Sequence, residues 1–265
     1  MKFSSIIAIF GFGASALARG HTKRSGTNGV GAFADNPTKD VPRPKIGNVP
    51  YGKLIRDCKK PGVVAVTYDD GPSQLTDKLL NILKEAGAKA TFFLTGVNIL
   101  PHRKVIERAH REGHQLAQHS WSHNSLSRAS TQARADEILK PEAAFADVLG
   151  IFPTYMRPPY GECNAECEAQ LGNLGYHVVN WNIDTNDWRG DMNVSMQIID
   201  TRLKNTDGPL VLAHDMEHTI NVLTSHIISV AKAEGLKMVT VGECLDDDES
   251  NWYRAAPRVE RLEMP

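Results

Sequence analysis

From residue 62 onward, short apolar runs alternate with longer stretches whose apolar positions recur at helical spacing. The runs at 63–68, 90–96, 115–119, 154–157, 176–182, 210–213 and 237–241 are mostly β-branched or aromatic, the pattern of parallel strands buried on both faces. After the first run, Leu75, Leu79, Leu80, Leu83 and Ala86 lie on one helical face, with Ser73 placed to cap the helix. Further helices are predicted near 104–111, 131–149, 194–204 and 220–233. Strand–helix alternation over this length predicts an α/β fold with a parallel sheet of about seven strands, closed as a (β/α) barrel. The flanks lack the pattern. Residues 19–50, with many Gly, Pro, Asn and Lys, read as a leader or an extended arm wrapping the domain at 51–246. Asp246-Asp247-Asp248-Glu249 open what reads as a polar, solvated tail over 247–265, too polar for a lipid-anchor signal.

The first 18 residues have another explanation. Lys2 supplies a positive start, Ile6 to Ala14 a short apolar stretch, and Ala16-Leu17-Ala18 a small-residue cleavage site, together a secretory signal peptide. Lys23-Arg24 could then be a dibasic processing site. No apolar run reaches the ~18 residues of a membrane span. Thirty basic residues against 31 acidic give a net charge of −1. That balance offers no basic excess for a phosphate backbone, so nucleic acid is not an expected partner. The chain is expected to act as a monomer.

An oxidising compartment changes the reading of the four cysteines, Cys58, Cys163, Cys167 and Cys244. An even count points to two disulfides with three possible connectivities. Cys163 and Cys167 are close enough to pair locally, and a closed barrel would bring Cys58 and Cys244, just outside the first and last strand-like runs, together. A zinc site on Cys163 and Cys167 lacks a second, closely spaced cysteine pair. Asn193-Val194-Ser195 is a glycosylation sequon.

Polar residues gather where five strand-like runs end: Asp69-Asp70-Gly71-Pro72, His119-Ser120-Trp121-Ser122-His123, Arg157-Pro158-Pro159-Tyr160-Gly161, Asp184-Thr185-Asn186-Asp187-Trp188 and His214-Asp215. In a parallel barrel these ends share one rim, where active sites are built. Three His-x-x-x-His pairs occur. His110 and His114 straddle Gly113, which should end a helix, and read as surface residues. His214 and His218 compete for a metal, but His119 and His123 follow a strand directly and share the rim with two carboxylates. Two imidazoles and one carboxylate leave positions open for water, the ligand count of a catalytic site for Zn²⁺, with Co²⁺ or another divalent ion also fitting.

Taken together and in this order, Thr67-Tyr68-Asp69-Asp70-Gly71-Pro72, the His119–His123 segment, Arg157-Pro158-Pro159-Tyr160, Asp184-Thr185-Asn186-Asp187-Trp188 and Leu212-Ala213-His214 resemble the motifs of the polysaccharide deacetylase (NodB-homology) family. Tyr68 stands where many relatives carry Phe. Trp121 and the cysteine pattern resemble fungal chitin deacetylases in particular. The resemblance implies a distorted (β/α) barrel that removes acetyl groups from N-acetylglucosamine units of chitin or chito-oligosaccharides. It implies Asp70, His119 and His123 as metal ligands, Asp69 as general base held by Arg157, and His214 as general acid oriented by Asp187. The Tyr160 backbone N–H would meet the oxyanion, and Trp188 and Leu212 would wall the acetyl pocket. Peptidoglycan and acetylxylan carry the same acetyl chemistry and stay open as substrates, as does a non-catalytic carbohydrate-binding role. No G-x-S-x-G occurs, which argues against a serine esterase.

Overall fold

The structure, a computed structural model, describes residues 36–257. The expected signal peptide, Lys23-Arg24 and the last eight positions of the chain lie outside the described residues. The strands are β1 (Leu54–Ile55), β2 (Val63–Asp69), β3 (Thr91–Leu94), β4 (Gln115–Gln118), β5 (Ile151–Pro153), β6 (Tyr155–Met156), β7 (His177–Val179), β8 (Ile183–Asp184), β9 (Leu210–His214), β10 (Lys237–Val239) and β11 (Tyr253–Ala255). The helices are α1 (Thr76–Glu85), α2 (Arg103–Arg111), α3 (Thr131–Leu149), α4 (Ala165–Asn173), α5 (Met192–Arg202), α6 (Thr224–Ala233) and α7 (Val241–Cys244).

Nine strands form one parallel sheet in the order β1-β7-β6-β4-β3-β2-β9-β8, with β10 also on β2. Ala65 pairs with Leu210 of β9 and Val239 of β10, so these two strands take opposite edges of β2. The run expected at 176–182 splits, β8 resuming after three residues, Asn180 to Asn182, that follow β7. Covalent chain rather than a strand pair therefore joins the sheet near its two ends. The result is a distorted (β/α) barrel.

Side chains alternate along each strand with period two. Ala65, Phe93, Ala117, Tyr155, Val179, Leu210 and Val239 pack together inside the barrel. Val64, Val66, Tyr68, Phe92, Leu94 and Leu116 face outward against Leu79, Leu80 and Leu83 of α1, Ile106 of α2, Phe145 of α3 and Ile227 of α6. The same alternation sends Thr67 and Asp69, two and four residues after Ala65, inward.

Three expectations need correction. Ser73 does not stand at the cap position of α1, which Leu75 occupies; its Oγ accepts from the Leu75 N–H at 3.0 Å and donates to Asp215 at 2.7 Å, bracing the turn before the helix. His114 is not a surface residue: it is buried, accepts the Ala90 N–H at 3.2 Å and meets the Phe92 ring edge-on. The solvated tail does not begin at 247. Asp247 accepts a hydrogen bond from Tyr155 at 2.7 Å, Trp252 is buried, and β11 pairs antiparallel with β5. At the other end, residues 36–50 lie along the domain, where Arg43 makes a two-pronged ion pair with the buried Glu142 at 2.7 and 2.8 Å. Thr38 and Tyr176 donate to the same carboxylate, so this buried charge is fully paired. Both disulfides, Cys58–Cys244 and Cys163–Cys167, are formed. Among the described residues no helix is long and apolar enough to cross a membrane.

Candidate active site

The strands' C-terminal ends converge on one rim, and the backbone there is unusual. Asp70, Ser120, His123, Tyr160 and Asn186 are non-glycine residues with φ of 70°, 63°, 60°, 60° and 54°. L-residues pay roughly 1–2 kcal/mol for this conformation, and such costs gather where a side chain must be aimed. Gly71 answers a different need: a Cβ there would lie 2.6 Å from Asp215 Oδ2. Asp215 ties β9 to the α1 turn through Ser73 and Thr76.

Asp70 turns out of the rim with Oδ1 3.6 Å from His119 Nε2 and 3.4 Å from His123 Nε2. One ligand atom from each of the three lies within 4.8 Å of the others. Asp70 Oδ1 is buried and makes no hydrogen bond, an orphan acceptor that a cation would satisfy. His119 Nδ1 is 2.7 Å from the Arg157 carbonyl, so it must carry the proton there, which leaves the Nε2 lone pair free toward Asp70. Burial lowers the His119 pKa to about 3, keeping the imidazole neutral as a metal ligand must be. The donor set fits one Zn²⁺ or Co²⁺ ion. His218 is not in this group; its Nε2 lies 2.9 Å from the Asp187 carbonyl oxygen.

Asp69, one residue earlier, points into the barrel and is only 2% exposed. Its Oδ1 accepts from Arg157 Nη1 at 2.7 Å, and its Oδ2 lies 3.7 Å from His119 Nε2. Arg157 is itself clamped: Nη1 also donates to Thr67 Oγ1, Nε to the Val179 carbonyl and Nη2 to the Asn180 carbonyl, with the Phe93 ring 4.1 Å from the guanidinium. Burial pushes the Asp69 carboxyl above its usual range, and Arg157 holds that rise back.

Across the rim, His214 ends β9 with Nδ1 2.7 Å from Asp187 Oδ1. Asp187 is buried and its other oxygen accepts from the His214 N–H and from Thr219 Oγ1, each at 2.7 Å. Burial disfavours the His214 imidazolium, but the Asp187 carboxylate outweighs it and raises the pKa to about 9. Tyr160 is 63% exposed with its ring edge-on to His123 at 4.7 Å, and Trp188 is 50% exposed, so neither serves as core. Leu212 is buried in β9, two residues before His214.

Some contributors escaped the sequence reading. Glu137 on α3 accepts three hydrogen bonds from the segment between His119 and His123, and Asn98 Nδ2 donates to the Asp70 carbonyl at 3.2 Å. Nothing local to either residue signals its partner; only the fold brings them there. A groove of about 610 Å³ beside α5, lined by Trp181, Asp184, Asn186 and Gln197 among others, touches none of the three ligand residues.

The polysaccharide deacetylase family profile matches residues 56–179, a span that contains Asp69, Asp70, His119, His123, Arg157 and Tyr160; Asp187 and His214 lie beyond it. A chitin deacetylase of Pestalotiopsis sp is 41% identical over 233 residues, 85% of this chain and 76% of the relative. A probable peptidoglycan-N-acetylglucosamine deacetylase of Arthroderma benhamiae is 39% identical over 79% of this chain and 50% of its own length. The solved chitin deacetylase of Colletotrichum lindemuthianum superimposes with a TM-score of 0.76 at 37% identity, covering 82% of this chain and all (100%) of that one. With its barrel, its ordered motifs and these relatives, the chain belongs to the polysaccharide deacetylase family.

Proposed function

We propose that this protein is a secreted, metal-dependent chitin deacetylase that hydrolyses N-acetyl groups of chitin or chito-oligosaccharides to acetate and glucosamine units. The observation that carries the reading is the meeting of three elements on one rim: the Asp70–His119–His123 set, the Arg157-clamped Asp69 and the Asp187-paired His214. A divalent ion held by Asp70, His119 and His123, Zn²⁺ first or Co²⁺, would polarise the acetyl carbonyl and acidify water. Asp69 takes a proton from the attacking water, its anionic form held in place by Arg157. The Tyr160 backbone N–H receives the developing oxyanion, on a turn held left-handed. His214 Nε2 gives a proton to the departing amine, and Asp187 fixes the ring so that Nδ1 faces away from the substrate. Trp188 and Leu212 wall the space for the acetyl methyl.

Support for chitin comes from the extent of the match: 76% of one chitin deacetylase and 100% of the solved one are covered, against 50% of the probable peptidoglycan deacetylase. Secretion is supported by the signal-like first 18 residues and by two disulfides. The test is acetate release from chito-oligosaccharides, peptidoglycan and acetylxylan side by side, with and without a chelator. Fastest turnover on chito-oligosaccharides, abolished by the chelator and restored by Zn²⁺ or Co²⁺, is the expected result. Preference for another polymer would redirect the substrate, and binding without turnover would favour a non-catalytic carbohydrate-binding role.

A further inference from the structure

The three residues between His119 and His123 are held from outside by a carboxylate with no assigned part in the reaction. Glu137, half-buried on α3, accepts the Trp121 N–H at 3.0 Å and the Ser122 N–H at 2.8 Å through Oε2. Its Oε1 accepts from Ser122 Oγ at 2.7 Å. The carbonyls of the same loop are fixed from the other side, since Ser120 and Trp121 accept from the Gly96 and Val97 N–H groups at 2.9 and 3.0 Å. Ser120 Oγ accepts the His123 N–H at 3.1 Å. The loop needs such anchoring, because Ser120 and His123 are both left-handed without being glycine. Consecutive N–H groups pointing at one anion form a small positive concavity, and a full carboxylate charge in it binds about twice as strongly as a neutral acceptor.

We propose that Glu137 is a positioning residue for the metal: it fixes the spacing and direction of the His119 and His123 rings by holding the peptide groups between them. It touches neither reacting atoms nor ligand atoms. Without it the two N–H groups turn to water, the left-handed residues relax, and the imidazoles must be reorganised whenever a metal binds. The proposal rests on the metal-site reading above, and the readout is chosen to separate the two.

The experiment measures the Zn²⁺ dissociation constant of the full chain by chelator competition, together with thermal midpoints in excess chelator. Groups bonded directly to a metal ligand are typically worth about 10–100-fold in affinity; Glu137 acts one step further out, through the loop backbone, so Glu137→Ala should weaken Zn²⁺ binding by about tenfold, the low end of that range. The chelator-treated midpoint should fall too, because the three bonds are already made without metal, but a purely structural role would lower it and leave the affinity unchanged. Glu137→Gln keeps an oxygen acceptor for the two backbone N–H groups and should recover a good part of the affinity. It also serves as the test should the alanine variant fold poorly. Ser122→Ala removes one hydroxyl bond and should shift the constant by only a fewfold. Wild-type affinity in Glu137→Ala, or a lowered metal-free midpoint with unchanged affinity, would overturn the positioning role alone. A wild-type chain that binds no Zn²⁺ would overturn the metal reading and this proposal with it.

Discussion

Asp69 and Asp70 are chemically identical neighbours with different surroundings, and the difference begins in one backbone angle. Asp69 closes β2 in extended geometry and follows the inward face; Asp70 is left-handed at φ 70° and leaves that face for the histidines. Replacing Asp70 by Asn should remove metal and activity together, because a neutral amide is a poor ligand for a divalent ion. Asp69→Asn should keep the metal and lower kcat by about 10²–10⁴, the size of a lost general base. His214→Ala should also keep the metal and lose turnover, since the amine would depart unprotonated. Metal content and acetate release of the three variants check the set, and metal loss in Asp69→Asn with retention in Asp70→Asn would exchange the two assignments. The kcat/KM profile should be a bell: activity rises as Asp69 deprotonates, from a carboxyl that burial has raised, and falls as His214 loses its proton. A bound cation draws both limbs down in pH, so the basic limb should fall below the value of about 9 that Asp187 sets for His214. Residue identities at the rim were legible because each motif sits where an apolar run stops. The loop braces Asn98 and Glu137 were not, because their partners are 28 and 15–16 residues away and no spacing rule links them.

Elements that bury a long apolar run could be read from the chain, whereas those that bury only one or two side chains could not. β2 is buried throughout, and α1 sets Leu79, Leu80 and Leu83 on one face, so pattern and structure agree. α4 buries little beyond Cys167 and Leu171 and takes its start from Asn164, whose side chain accepts the Cys167 N–H at 2.9 Å. β11 is three residues long and follows an acidic run, so nothing periodic announces it. Yet Trp252, just before it, has an indole N–H that donates to the Asp247 carbonyl and a ring that packs so closely on Gly242 that a Cβ there would lie 2.1 Å from it. Trp252→Ala should lower stability by about 3–5 kcal/mol, as for other buried aromatic truncations, in urea denaturation followed by circular dichroism. A loss below 1 kcal/mol would return residues 247–257 to the status of a tail. His114, just before β4, gives an acid-side signature. Burial lowers its pKa to about 4 from 6.5, so the unfolded chain takes up a proton first as pH falls. Its contribution to stability is complete above pH 6.5 and is lost between there and about 4, worth about 3 kcal/mol in all. His114→Gln should flatten the stability profile across that interval, and an unchanged slope would contradict the burial effect.

At the scale of the whole molecule, the barrel has to hold its first and last segments together without a closing strand pair at the sheet ends. Cys58 and Cys244 sit at that junction, 186 residues apart, and the same segments are joined by the Lys59 and Lys60 N–H groups, which donate to the Cys244 carbonyl at 2.8 and 3.0 Å. The Cys58 N–H donates to the Gly208 carbonyl at 2.9 Å, where a Cβ on Gly208 would meet the Cys58 carbonyl oxygen at 2.3 Å. Folded geometry at this junction therefore does not depend on the sulfur bridge alone. Removing the bridge in a Cys58→Ser/Cys244→Ser pair should act mainly on the unfolded chain, which regains the freedom of a very long loop. The chain-entropy model gives about 5 kcal/mol for such a loop, read as a lower urea midpoint with little change in the metal-loaded kcat below the melting range. The Cys163–Cys167 bridge spans a separation of only four residues, so its entropic share is roughly 2 kcal/mol. It flanks the Tyr160 turn, and Cys163→Ser/Cys167→Ser should therefore reverse the pattern, with a modest midpoint shift and a larger fall in kcat. Comparing the two double variants for midpoint and acetate release separates a brace of the barrel from a brace of the site. Loss of kcat in the first pair at an unchanged midpoint, or a midpoint loss in the second exceeding that in the first, would overturn this division between them.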